Sequence, residues 1–260
     1  AATGQVKLTL EDQKDELSAL AFSPDGRLLA GGAFDAALKI WGAQSGELKR
    51  SLQKQGRVIT ALAFSPDGQT LASCSRDQSV VLWNVQNGKA TQEISVVSRW
   101  LSKVAFSPDG HWLLVADDYG AIMTFDPLTG QVKSDFVRHK LVEPPIGKIR
   151  TLALSPDGTR AAFGFLGSYI EIWDLETKKV LHKLRNASGV INTLSFSPDG
   201  QRLLSGNHNG TFNLWGVRTG TPLQAWQAHT SGVALLTFAA DGQRIFSTAE
   251  GTPAAINVFE

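Results

Sequence analysis

Six aspartates, Asp25, Asp67, Asp109, Asp157, Asp199 and Asp241, each precede a glycine, with successive gaps of 42, 42, 48, 42 and 42 residues. Carboxylates repeated this regularly could be ligands if the chain gathered them in one place. Their local wording argues otherwise. Five stand in Ser-Pro-Asp-Gly and the sixth in Ala-Ala-Asp-Gly at 239–242. Proline presets φ at the first corner, aspartate suits the second, and glycine takes the positive φ that closes a hairpin. Each aspartate is therefore expected at its own hairpin tip, apart from the others, so they form no common site.

Other chemistry is sparse. The histidines, at 111, 139, 182, 208 and 229, fall in different segments without metal-ligand spacing, and Cys74 is the single cysteine. No nucleophile elbow or phosphate loop is present, since Gly88-Lys89 and Gly147-Lys148 lack the glycine that must precede them. Asp117-Asp118 reads as a polar turn facing water. The sequence predicts no catalytic residue, no metal and no cofactor, and a protein that is not an enzyme. The most basic stretch, "KKVLHKLR" at 178–185, reads as an outer strand on which Lys and Arg discourage edge pairing.

The totals agree. With 42% apolar and 19% charged residues, 25 glycines and 10 prolines, the 260 residues describe a folded, turn-rich chain. A net charge of +1 offers no field for nucleic acid or an anionic membrane, and neither is expected as a partner. No window approaches the roughly 18 apolar residues of a membrane span. The opening "AATGQVKL", without Met or a leader pattern, reads as a mature or excised terminus.

The elements that carry the turns repeat with them. The apolar residue before each turn, Phe22, Phe64, Phe106, Leu154, Phe196 and Phe238, marks six copies of one plan. In the second copy Val58 to Phe64, "QTLASCS", "SVVLWNV" and "KATQEI" are short alternating runs separated by turn residues. Such runs predict four antiparallel strands per copy. A glycine recurs in the turn after the third run, at 46, 88, 130 and 220, with Lys178 in its place in the fourth copy.

The phrase "LAFSPDG", a period near 40 residues, and an aromatic closing the third strand (Trp41, Trp83, Phe125, Trp173, Trp215 and Phe259) make the chain resemble the WD-repeat β-propeller family along essentially its whole length. The signature dipeptide is intact only at Trp173-Asp174. The resemblance implies an all-β propeller, read as a single domain over 1–260 with six four-stranded antiparallel blades. Gln5 to Leu10 would supply the fourth strand of the last blade and close the ring. The alternative is a trimmed part of a seven-bladed ring. In the family a His, a Ser or Thr, an Asp and the Trp can form a buried hydrogen-bonded set. Here no copy has all four: Asp35 and Asp77 are in position without the His, while His229 is in position without the Trp.

In an up-and-down blade the first and third turns share one end, and the second turn and the inter-blade link share the other. All the repeated wording lies at the first end. At the second no two copies agree, and loops free of a packing role usually carry binding. Phe34, Arg57, Arg76, Trp100, Tyr119, His139, Phe165, Leu166, His208 and His229 are the candidate contacts there, aromatic and Arg types being common interface anchors. Each could instead fold down over its own blade. The long link "RHKLVEPPIGK", stiffened by Pro144-Pro145, is a partner contact or a neutral insertion. The expected function, as the resemblance implies, is a non-catalytic scaffold binding a protein or peptide partner. The alternatives are a propeller enzyme or sugar-binding protein using the central channel, for which only Lys103 and Arg150 offer charge on the innermost strands, and a propeller domain of a larger chain.

Overall fold

The computed structural model describes residue 10 and residues 15–96, 100–118, 120–136, 148–185, 189–250 and 256–260. Among these, every regular element is a strand. Strands β1 to β4 are Leu17–Phe22, Leu28–Ala33, Leu38–Gly42 and Leu48–Leu52, and β5 to β8 are Ile59–Phe64, Thr70–Ser75, Ser79–Asn84 and Ala90–Ser95. Strands β9 to β12 are Leu101–Phe106, Leu113–Asp117, Ile122–Phe125 and Val132–Phe136, and β13 to β16 are Ile149–Leu154, Arg160–Phe165, Tyr169–Asp174 and Lys179–Arg185. Strands β17 to β20 are Ile191–Phe196, Arg202–Asn207, Thr211–Gly216 and Pro222–Gln227, and β21 to β23 are Val233–Phe238, Ile245–Ala249 and Ile256–Phe259.

Each set is one antiparallel meander in chain order, five of four strands and the last of three among the described residues. The closing strand expected at residues 5–10 falls almost wholly outside the described residues. Two compact units are formed, one of Ala1–Asp117 with Ala121–Val137 and the other of Asp118–Gly120 with Arg138–Glu260. Three sheets belong essentially to each.

Packing explains the residue choice along the sheets. The first strands of successive sheets touch, β1 with β5 and β5 with β9 in one unit, β13 with β17 and β17 with β21 in the other. Apolar clusters lie between neighbouring sheets: Leu38, Ile40 and Leu52 meet Ile59, Leu71 and Trp83, and Ile170, Ile172 and Leu184 meet Ile191, Leu203 and Trp215. Second strands are therefore covered on both faces and read as nearly continuous small and apolar runs, such as "LASCS" and "AAFGF". A Cβ added at Gly206 would lie 2.7 Å from Cγ1 of Val233, and one at Gly32 2.4 Å from Cγ2 of Ile59. Cys74 takes the corresponding place in the second sheet. It is fully buried, which pushes its thiol far above the ordinary range, so Cys74 is a packing residue and not a nucleophile. Fourth strands are mostly exposed and polar, including the basic β16.

Every sheet has a bulge near the start of its first strand, as at Leu17/Ala19, Ile59/Ala61 and Ile191/Thr193. The residue it displaces is Ser18, Thr60, Ser102, Arg150, Asn192 or Ala234. Strand alternation alone does not reveal this feature, because a bulge adds one residue to one strand of a pair.

Candidate functional site

The repeated turns are built alike. In the five Ser-Pro-Asp-Gly copies the serine Oγ donates to the aspartate Oδ1 at 2.5–2.6 Å. The same Oδ1 accepts the backbone N–H two residues on, at 2.9–3.0 Å. The serine oxygen in turn accepts the N–H that opens the second strand, at 2.9–3.1 Å. Glycine closes each turn at φ between 67° and 74°. Neighbouring turns also nest: a Cβ on Gly68, Gly110, Gly200 or Gly242 would lie 3.5–3.7 Å from Cδ of Pro24, Pro66, Pro156 or Pro198 in the preceding repeat. Serine and aspartate thus set the turn, while proline and glycine set its contact with the next.

The serine hydroxyl, helped by the backbone N–H, holds the carboxyls of Asp25, Asp67, Asp109 and Asp199 below their ordinary value. A depressed folded-state pKa stabilises the fold above the unfolded value near 4, and that contribution disappears as pH falls through the folded pKa. Acid should therefore weaken the protein below about pH 4. Ser107→Ala should move Asp109 back toward the ordinary carboxyl range and flatten this loss. Carboxyl titration by NMR, with urea unfolding at pH 7 and pH 3, measures both; an unmoved Asp109 would refute the assignment.

At the other end the residue following five of the six second strands is held to the link before the first strand. Phe34 N–H donates to Glu16 O at 3.1 Å, Arg76 to Val58 O at 3.0 Å, Leu166 to Lys148 O at 3.0 Å, His208 to Val190 O at 2.9 Å and Glu250 to Gly232 O at 2.7 Å. One backbone position, fixed five times, thus carries five unlike side chains. Phe34 and Leu166 are 47% and 39% exposed, and Arg76 and His208 are also exposed. Trp100, 41% exposed, directly precedes β9, and exposed Arg57 lies beside Val58 with its carbonyl accepting from Ser75 Oγ at 3.0 Å.

Two expected contacts are not on the surface. Phe165, 3% exposed, is the last residue of β14 and points opposite to Leu166, stacking on Tyr169 at 4.5 Å. Its counterparts Ala33, Ser75 and Asn207 are buried too, so strand alternation carried the signal that a large aromatic here turns inward. His229, 8% exposed, bonds through Nε2 to Ser247 Oγ at 2.8 Å. Tyr119 and His139, and the long link around Pro144-Pro145, lie outside the described residues.

A polar chain that sequence reading missed runs through the second unit. Arg150 Nε donates to Asn192 Oδ1 at 3.0 Å, Asn192 Nδ2 donates to Glu250 Oε1 at 2.9 Å, and Glu250 Oε2 lies 3.5 Å from His208 Nδ1. Arg150, the charge considered for channel chemistry, is thereby engaged in a structural contact.

The buried polar sets also differ from expectation. In the second sheet Gln55 stands nine residues before Phe64, the offset at which His229 precedes Phe238. Gln55 Oε1 accepts from Ser73 Oγ at 2.6 Å, Ser73 Oγ accepts from Trp83 Nε1 at 2.9 Å, and Gln55 Nε2 donates to Ser79 O at 3.1 Å. Asp77 receives the Gly56 N–H at 2.7 Å and the Ser79 hydroxyl at 2.6 Å. Glutamine therefore does the work of histidine, a substitution the shared offset could have disclosed. Elsewhere Trp215 Nε1 donates to Ser205 Oγ at 2.9 Å and Trp173 Nε1 to Glu171 Oε2 at 3.1 Å. In the first sheet Gly31 stands where Ser73 does, and Nε1 of Trp41 has no hydrogen-bond partner among the described residues.

Among the described residues no group of three or more His, Cys, Asp or Glu could hold a metal ion. A family model for the WD domain, G-beta repeat, matches residues 4–42, 46–84 and 178–216. Each matched segment ends at the close of a third strand, one residue after Trp41, Trp83 or Trp215. No curated protein matches the chain.

Proposed function

Because this chain belongs to the WD-repeat family, whose members generally mediate protein–protein interactions, we propose that it is a non-catalytic scaffold that binds a protein or peptide partner. The partner docks at the end carrying the second turns and links, on Phe34, Arg57, Arg76, Trp100, Leu166 and His208. The observation that supports this is the single backbone position, hydrogen-bonded identically in five repeats, that carries Phe34, Arg76, Leu166, His208 and Glu250. A rigid frame with unlike side chains is what discrimination among partners requires, whereas the repeated turns at the opposite end share one serine–aspartate hydrogen bond. The six sheets are read as blades of one ring closed by residues 5–10; a part of a seven-bladed ring would present the same side chains.

Trp100→Ala with Arg76→Ala should weaken partner binding by about 2 kcal/mol or more, roughly 30-fold, as loss of interface anchors does. Arg27→Ala, at the repeated-turn end, should leave it unchanged. Crosslinking and quantitative pull-down from the native source measure both. Full retention of every partner by the double variant would sink the proposal.

A further inference from the structure

The repeated-turn end is not featureless. Between the second and third sheets, wholly inside the first unit, a groove of 730 Å³ opens among the turns at 65–67, 109–111 and 126–128. That volume lies within the range of ligand-binding clefts, roughly 300–1,000 Å³.

Its position follows from one recurring contact. A fourth-strand side chain reaches the carbonyl of the next sheet's third turn. Arg50 reaches Gln86 O, Gln92 Nε2 reaches Leu128 O at 2.9 Å, and the His182 ring reaches Arg218 O at 3.1 Å. Of these three contacts, the one made by Gln92 to Leu128 lies in the lining of the groove.

The walls have a definite chemistry. Leu128 is 84% exposed, and the corresponding turn residues elsewhere are Gln44, Gln86, Glu176 and Arg218. An aliphatic side chain here serves no packing that the other repeats need. Beside it stand the carboxylates of Asp67, Asp109 and Asp126, so two of the turn aspartates expected to stand apart line one groove, because the turns of neighbouring sheets nest. Lys133 lies 3.7 Å from Asp126. Among the described residues Asp67 and Asp109, like Asp157 and Asp199, make no salt bridge, whereas Asp25 and Asp241 are paired with Arg27 and Arg244. Each uses Oδ1 within its own turn, so Oδ2 remains to meet a cation. The groove thus joins an exposed aliphatic lip to three carboxylates, of which Lys133 pairs with Asp126 and His111 stands beside Asp109.

We propose that this groove is a second docking site, distinct from the variable end, and that it takes a short extended peptide carrying lysine or arginine beside an aliphatic residue. The cation meets Asp67 and Asp109, and the aliphatic side chain covers Leu128. Charge complementarity selects this occupant over an acidic peptide, which the same carboxylates repel.

A fluorescein-labelled hexapeptide of alternating lysine and leucine, followed by anisotropy against a glutamate–leucine counterpart, tests the proposal on the whole chain. The lysine peptide should bind at least 10-fold more tightly and weaken as salt rises. Asp67→Asn with Asp109→Asn keeps every turn acceptor while removing two charges, and Leu128→Gln installs the side chain of the first two repeats. Each variant should weaken the lysine peptide by about 10-fold. Circular dichroism verifies that they fold. Equal binding of the two peptides, binding of neither, or lysine-peptide binding unmoved by the variants would overturn the proposal. Because Trp100 and Arg76 lie at the other end of the same strands, this result is independent of the test at the variable end.

Discussion

Trp83→Ala should cost about 3–5 kcal/mol of unfolding free energy, the ordinary consequence of deleting a large buried aromatic. Trp83 is 4% exposed, packs among Leu71, Val81 and Val85, and donates its indole N–H to Ser73. The sharper comparison uses phenylalanine. Trp83→Phe removes the hydrogen bond as well as some volume, leaving the Ser73–Gln55 pair one donor short, at about 1–3 kcal/mol. Trp41→Phe removes a similar volume from the neighbouring sheet but deletes an N–H that has no acceptor among the described residues, so it should cost clearly less. Urea unfolding followed by far-UV circular dichroism compares the two. Equal costs would mean that the indole bond contributes nothing, and that the Gln55–Ser73–Trp83 set is packing alone. A cycle of Gln55→Leu and Trp83→Phe then reads the coupling through Ser73, expected to be non-additive because the three groups share one hydroxyl.

Gly210→Ala should be comparably severe although it adds a single methyl group. Gly210 turns at φ 81°, and a Cβ there would lie 2.0 Å from the carbonyl oxygen of His229 and 2.6 Å from that of Ser231. Both obstacles are backbone, and the link cannot swing away because Ala228 and His229 donate their N–H groups to Gly210 O at 3.0 and 3.1 Å. Strain at positive φ and overpacking together suggest about 2–5 kcal/mol. The same turn position elsewhere holds Ala36, Gln78 and Ser168 at φ 68°, 74° and 61°, so positive φ alone is tolerated. Gln78→Gly should accordingly be neutral or stabilise by up to about 1 kcal/mol. Thermal and urea unfolding of both variants checks the contrast; a mild Gly210→Ala would show that the link after β20 moves freely.

The candidate site was legible in proportion to how local its causes are. That Phe34, Arg76, Leu166 and His208 lie after second strands followed from the turn wording, and they are exposed where the chain leaves the sheet. Phe165 was misread because a turn was taken as uniformly outward, while backbone alternation still governs its first residue. His229 was read as a surface group although its family offset pointed to a buried bond, which it makes with Ser247. Gln55 escaped notice because glutamine differs from histidine in type while matching it in reach and in having both a donor and an acceptor. The groove beside Leu128 was invisible in principle. It depends on which side chain of one repeat crosses to the next.

By itself the sequence determined the period, the hairpins and the strands, because these rest on contacts within about ten residues. Proline and glycine restrict φ, serine and aspartate close their own turn, and alternation assigns faces. Lys178 marks where that reasoning relaxes: it keeps φ 58° in a turn where the other repeats place glycine, with Asp174 accepting from the Thr177 N–H and hydroxyl. Only the tertiary structure decided which polar groups meet. Ser73 finds Gln55 from 18 residues away, Asn192 finds Glu250 from 58, and Gln92 finds Leu128 from 36. Those pairings depend on how unlike side chains fill the space between sheets, and on bulges that shift the alternation at each first strand. The repeats share a plan because each hairpin solves the same local problem. They differ in chemistry because every gap between sheets is filled by a different pair.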